Sequence, residues 1–389
     1  MNKKGAWVIA WLILFGSRPA AAFQLDEIDI HGFISQGYLK SDLNDYYAKT
    51  KDGSFQFNEF GANIAVDITE RLRAAMQLLS RDLGTSGNNV VNVDWAYGQY
   101  RWKDWLKFKM GRIQVPWGFY NETRDIDMLR PWIFLPPSLY NERVRDVYDA
   151  FLGAGIEGNI YVEPLGSFSY SVGYGEKDVD ISSEIFNIED KSLISDFDCR
   201  VTEILGTKLE WDEPISGLRL GANFGMYHFN VHLEQSLIMI VPAETDRKFS
   251  QYQSSRYVIF SGEYTRGDTI FTGEYSVTWN KHGDDEQGYY LSIAHRFTSW
   301  FQAGAYYSAY YPDKDDKDGD AFAAENENRF EAWQKELVFT TRFDLNDNWL
   351  VKFEVHGVDG TAAINTSGVD SSEINQRSVL FAVKTTVSF

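Results

Sequence analysis

The chain has 389 residues, 44% of them apolar, yet its mean hydropathy is −0.35. Aromatic residues reach 16%, Gly is frequent at 31 and Pro scarce at 9, a mix that suits many strands and turns rather than helices. The formal charge of −19 argues against nucleic acid as a partner, because phosphate backbones are held by clustered Lys and Arg.

In chain order, the first predicted element is a secretory signal peptide. Lys3 and Lys4 open it, residues 5–16 form a short apolar run, and Ala20-Ala21-Ala22 supply an A-x-A cleavage site after Ala22. The run is too short for an ordinary membrane-spanning helix, and no later stretch holds about 18 consecutive apolar residues. The single cysteine, Cys199, rules out an internal disulfide, so the sheet itself must supply stability.

A two-residue apolar/polar period then recurs, and the segments that carry it come in pairs. Strands are predicted at 27–40, 54–68, 71–82, 90–102, 105–115, 150–162, 167–179, 200–212, 217–232, 256–266, 269–281, 288–298, 300–311, 333–345, 349–360 and 374–389. Connections alternate between short turns and long polar loops, and both chain ends fall on the short-turn side. That asymmetry is the organisation of an outer-membrane barrel of about sixteen antiparallel strands. Within 349–360, Val351, Phe353 and Val355 share one face while Lys352, Glu354 and His356 share the other. In a soluble sandwich the polar face looks outward. In a barrel set in lipid the signs invert, and a closed ring leaves no backbone edge unpaired. Trp102, Trp105, Trp211, Trp300, Trp349, Tyr306, Tyr307 and Tyr310 lie near strand ends, where interfacial girdles are expected. The last strand alternates to the terminal residue, Phe389, and must pair with the first to close the ring. A final outward Phe also resembles the signal read by barrel assembly machinery.

The longest irregular segment, 116–149, is functional rather than a mere connection. It carries Trp117, Phe119, Trp132, Ile133, Phe134, Leu135 and Tyr140, and four prolines stiffen it. Such a loop needs something to pack on, so it is expected to fold into the barrel and narrow the lumen. Arg112, Arg124, Asp125, Asp127, Arg130, Arg143 and Arg145 are its candidate constriction residues. Their charges can set up a field across a pore or pin the loop to the wall. Alternation places Arg73, Arg81, Lys107, Lys109, Arg219, Glu274, Arg342, Lys352 and Glu354 on the lumen side.

The stretch KFKMGRIQVPWGFYNETRDIDMLRPWIFLPPSLY resembles the strand and constriction loop of porins of the phosphate-selective O/P type and of DcaP-like trimeric porins. Their G-[RQ]-x-x-x-P-[FW]-G turn is matched by Gly111, Arg112, Pro116, Trp117 and Gly118. The resemblance implies a 16-stranded homotrimeric diffusion channel in the outer membrane of a Gram-negative bacterium. Phosphate specificity does not carry over, since the inward candidates mix basic residues with Asp67, Glu157, Glu210, Glu263, Glu274 and Glu354.

Other chemistry is weak. The stretch KDDKDGDAFAAE, 314–325, spaces Asp316, Asp318, Gly319 and Glu325 like a calcium loop, but Lys314 holds the first ligand position, so a solvated external loop is the expectation. Acidic external loops can still hold divalent ions that bridge lipopolysaccharide. No metal spacing, C-x-x-C-H or G-x-S-x-G occurs, and neither an enzyme nor a cofactor is expected. His228 and His295 read as residues of the membrane interface. The leading reading is a passive channel for small hydrophilic solutes or ions. A substrate-specific channel for anions or carboxylates, and a barrel sheathing an electron-transfer partner, stand as alternatives.

Overall fold

A computed structural model describes residues 28–84, 87–179, 194–213, 215–235, 247–281, 283–324, 328–364, 369 and 371–389; at 178–179, 194–200, 231–235 and 247–253 only the backbone is described. The signal peptide expected at 1–22 and the side chain of Cys199 lie outside the described residues. The strands are β1 (Ile28–Ser41), β2 (Phe57–Thr69), β3 (Leu72–Leu83), β4 (Val91–Lys103), β5 (Leu106–Gln114), β6 (Ala150–Val162), β7 (Gly166–Val179) and β8 (Ile194–Asp212). They continue as β9 (Leu218–Gln235), β10 (Arg247–Arg266), β11 (Thr269–Asn280), β12 (Glu286–Arg296), β13 (Phe301–Tyr311), β14 (Gln334–Asn346), β15 (Trp349–Gly360) and β16 (Arg377–Ser388). Each pairs antiparallel with its sequence neighbours, and β16 pairs with β1, so the 16-stranded sheet is a closed barrel.

Closure uses the chain end. Ile34 faces Val387 and Leu39 faces Ala382 across the seam, and Gly32 and Phe389 exchange both backbone hydrogen bonds at 2.9 Å. Thr385, which interrupts the outward apolar row of β16, accepts a hydrogen bond from the indole N–H of Trp349 at 2.8 Å.

The polarity of the wall is inverted relative to a soluble protein. On β15, Lys352, Glu354 and His356 are 0%, 2% and 3% exposed, while Phe353 and Val355 are 44% and 38% exposed. The same outward apolar row continues on neighbouring strands through Phe260, Phe271, Leu291, Ile293, Leu337, Phe339 and Phe381. Water would not tolerate so broad an apolar band on an isolated protein, whereas hydrocarbon covers it at no cost. Trp102, Trp105, Trp300 and Trp349 are exposed at the short-turn rim, where amphipathic rings sit at a membrane interface. Tyr306 does not belong to this girdle. It points inward, is 1% exposed, and meets Trp132 edge-on at 5.1 Å.

Three strands run well past their expected starts or ends. β8 begins at Ile194, β9 continues to Gln235 and β10 begins at Arg247, with Arg247 opposite Gln235 and Gln235 opposite Ile194. The polar run RKFSQYQSS, 247–255, lacks a period because a ribbon standing clear of the apolar band has no greasy side to mark. Backbone pairing alone makes it a strand.

Candidate functional site

The chain enters the interior at the end of β5. Gly111, opposite Tyr97 on β4, has φ +132°, and a Cβ there would lie 2.4 Å from the Ala96 carbonyl oxygen, so only glycine fits where β4 and β5 part. Arg112 clamps the split by donating to the Asp94 carbonyl at 2.7 Å and to Asp149 Oδ2 at 3.2 Å. Segment 115–149 then turns inward. The Pro116 carbonyl accepts from Asn223 Nδ2 on β9 at 3.1 Å, and Trp117 stacks between Tyr148 and Tyr257 while donating to the Leu139 carbonyl. Gly118 has φ +53°, and a Cβ there would strike the Tyr140 hydroxyl. The glycines of the G-R-x-x-x-P-W-G turn are thus required by backbone conformation and close approach.

Two wall carboxylates hold the segment at separate points. Glu274 on β11 accepts from the Phe119 N–H (2.9 Å), the Tyr140 hydroxyl (2.6 Å), the Tyr290 hydroxyl (2.7 Å) and Ser261 (2.5 Å). Glu354 on β15 accepts the Ile133 and Phe134 N–H groups at 2.6 and 3.2 Å, with His356 lying between it and Glu336. These backbone groups would otherwise be orphaned in a dry interior, at a cost of about 1–3 kcal/mol each. Trp117, Phe119, Trp132, Ile133, Phe134, Leu135 and Tyr140 are all buried. All but Phe119 pack against inward aromatic and aliphatic side chains of the wall, Tyr227, Tyr257, Tyr290 and Tyr306 on one side and Phe57, Leu39 and Leu380 on the other, and Phe119 lies against Arg219 and Gly221.

Most charged residues of the segment are spent in three buried clusters, while Glu122 pairs with Lys208 and Asp146 stays exposed beside Arg145. In the first, Asp127 meets Lys384 at 2.6 Å, Arg130 at 3.2 Å and Lys352 at 3.4 Å, and Lys384 also reaches Glu59. Burial by itself would raise the Asp127 carboxyl, but the Lys352, Lys384 and Arg130 charges overcome it and hold the group well below the carboxylate range. In the second, Glu142 bridges Arg81 (2.7 Å) and Arg124 (2.9 Å), and those cations likewise outweigh burial and depress its carboxyl. In the third, Arg145 contacts Asp94 and Asp125 at 2.8 Å each, and Asp149 joins Arg112 and Lys177. Arg143 donates to the Ile364 carbonyl in the β15–β16 loop.

Among the wall candidates, Arg342 donates to the Met128 and Arg130 carbonyls and pairs with Asp344. Lys107 and Lys109 share Glu157 near the short turns, and Arg219 pairs with Glu210 beneath the Phe119 ring. Arg73 is half-exposed and pairs with Asp67 away from the segment. Sequence reasoning did not name Glu59, Asp94, Lys177 or Lys208, whereas alternation already put Lys384 on the inward face and Glu142 and Asp149 were among the acids of the segment. Asp94 and Lys177 lie at register shifts, where alternation misassigns the face, and Lys208 was legible from its two-residue offset from Glu210.

Polar cavities flank the segment. On the long-loop side, about 410 Å³ is lined by Arg81, Asp94, Arg112, Arg145, Asp149 and Lys177. On the short-turn side, cavities of about 260 and 320 Å³ share Glu122, Lys208 and Glu210. In the external loop between β13 and β14, Asp316 accepts the N–H groups of Asp320 and Ala321, so it caps the short helix Asp320–Ala324. No group of three potential metal ligands occurs among the described residues.

No family model and no curated protein matches the chain. Solved structures do. The OmpF of Salmonella typhi, in complex with daunomycin, superposes with a TM-score of 0.60 at 12% identity, over 94% of this chain and 99% of that one. The outer-membrane channel DcaP of Acinetobacter baumannii superposes with a TM-score of 0.56 at 9% identity, over 93% and 97%. OmpT of Vibrio cholerae, as its loop L8 deletion mutant, gives 0.55 at 13%, over 93% and 99%. At such identities the likeness is one of fold: the chain is a closed 16-stranded antiparallel barrel that resembles known outer-membrane porins.

Proposed function

We propose that this protein is an outer-membrane channel that lets small hydrophilic solutes or ions diffuse down their gradients, with segment 116–149 as its constriction. The observation that carries this reading is the inverted wall, apolar outside and charged inside, best seen along β15. The anchoring of the segment to β9, β11, β14, β15 and β16 supports a fixed constriction rather than a mobile flap. A second reading, a substrate-selective channel, is favoured by how much of the interior the segment's aromatic side chains fill, which leaves compact polar cavities on either side. A barrel sheathing an electron carrier is disfavoured by the same filling. The export leader at 1–22, recognition of Phe389 by the assembly machinery, contact with lipopolysaccharide and a homotrimeric assembly complete the proposal.

Planar bilayers test it. The purified mature protein should give discrete conductance steps in KCl, and deletion of 119–141 should raise the unit conductance severalfold and blunt ion selectivity. Absence of steps would remove the channel reading; an unchanged unit conductance after deletion would remove the constriction.

A further inference from the structure

The outer wall is dented on its short-turn half. Gly262 on β10 and Gly273 on β11 are register partners in the outward row that also holds Leu220 and Leu291. Two adjacent strands therefore lack a side chain at one level. In the next row toward the short turns, Ala305 on β13 stands between Ile293 and Phe339. The outcome is a groove of about 550 Å³ between β9 and β14. Tyr264, Phe271, Leu291 and Tyr307 border it, and Leu291 stands 68% exposed. Apart from Glu263, Thr272, Ser292 and Tyr306, which alternate to the inward face, the lining is apolar or aromatic.

One cation stands past the short-turn end of this groove. Arg266 continues the outward face of β10 after Gly262 and Tyr264, about 13 Å from Gly262 at about 3.4 Å per residue. It is exposed and forms no ion pair or side-chain hydrogen bond among the described residues. The basic groups beside it on β12 are occupied: Arg296 pairs with Asp344, and His295 meets the Thr269 hydroxyl. Trp300, exposed on the same rim, marks the level of lipid headgroups.

We propose that the groove holds one acyl chain of a glycerophospholipid whose phosphate rests on Arg266. The proposal rests on the membrane reading above and goes beyond it by fixing one lipid at one place on the wall. A guanidinium offers a fork of N–H donors that matches two phosphate oxygens. The hydrocarbon of one leaflet is about 15 Å deep, so a chain that starts at Arg266 passes Gly262 before it ends. The volume is that of about eighteen liquid waters, and a methylene group is close to a water in size, so one acyl chain fills the groove. Short turns face the periplasm, which makes the lipid one of the inner leaflet. A second barrel is convex like this one and would touch the rims of the groove without filling it.

The test uses the full mature protein in detergent, dioleoyl phosphatidylglycerol as the probe, and dioleoylglycerol as the same chains without phosphate. Native mass spectrometry should show one phosphatidylglycerol retained per chain and no dioleoylglycerol. Gly262→Leu fills the groove and should cut retention at least tenfold; a Cβ there comes no nearer than 3.8 Å to Leu220, so the barrel has room for it. Arg266→Gln should cut retention severalfold and decides the matter if the first variant does not fold. Gly98→Leu, on the outward face of β4, should leave it unchanged. Equal retention of dioleoylglycerol, an unaltered Gly262→Leu or Arg266→Gln protein, or an equal loss in Gly98→Leu would overturn the proposal. So would a Gly262→Leu protein that lost an oligomeric state but no lipid, since a second copy would then cover the groove. A protein that retains the lipid but gives no conductance steps in KCl would keep the site and remove the channel.

Discussion

Glu274 and Asp127 show how single buried acids organise the interior. Glu274 accepts four hydrogen bonds, two from the inward segment and one each from β10 and β12, and pairs with no cation among the described residues, so a carbonyl-plus-amide replacement cannot serve it. Glu274→Gln halves the acceptor oxygens and turns an NH₂ toward donors; about 2–4 kcal/mol should be lost, read as a lower urea midpoint for the barrel in vesicles. Asp127→Asn removes the carboxylate that Lys352, Lys384 and Arg130 share, leaving Glu59 to Lys384 alone. Removing one member of such a buried set costs about 3–5 kcal/mol, and the same unfolding assay should show it. Sequence placed both residues in the interior, Glu274 from alternation and Asp127 from the loop's charge. It left two roles open for the charges of the segment. In the structure Arg124, Arg130 and Arg145 are each buried against a carboxylate, the first two within the segment and the third on β4. That pairing could not be read in advance, because Asp127 and Lys384 are 257 positions apart and only barrel closure brings them together.

Segment 115–149 behaves as a packed element although its regular structure is limited to short helical turns. Its stability comes from apolar burial, worth roughly 1.5–3 kcal/mol for each large side chain, and from carboxylates held ionised by neighbouring cations. Those carboxylates set its response to acid. A carboxyl depressed in the folded state contributes stability that is present above its unfolded value, near 4, and is lost as pH falls through the lower native one. Asp127 and Glu142 are both depressed, so the segment should stay pinned at pH 4 and release only in stronger acid. Unit conductance in bilayers should therefore match between pH 7 and pH 4. A step between pH 5 and 6 would contradict the assignment of these two acids as the anchors. The inward fold was legible from the seven large apolar residues and four prolines of the segment, which no solvated loop would carry. The added lengths of β8, β9 and β10 were not, since polar ribbons pair without any hydrophobic period.

For the whole molecule, closure is the decisive event, and the seam between β1 and β16 is where it can be disturbed. A Cβ on Gly32 would sit 2.5 Å from Phe389 Cζ and 2.8 Å from the Gly61 carbonyl oxygen. Gly32→Val should therefore cut the yield of folded barrel severalfold, measured as the heat-modifiable band on a gel, while a substitution at Gly98, where a Cβ meets nothing within 4 Å, should not. From its order of residues alone, this chain determined a ring of antiparallel strands, the face that side chains take away from register shifts, the rim that carries the short turns and the segment that goes inside. Those properties are local: a period of two, a turn, a run of aromatic residues. Only the tertiary structure decided which inward charges neutralise one another, as Asp127 and Lys384 do. Pair formation depends on distances across the lumen, and these exist only once β16 has met β1.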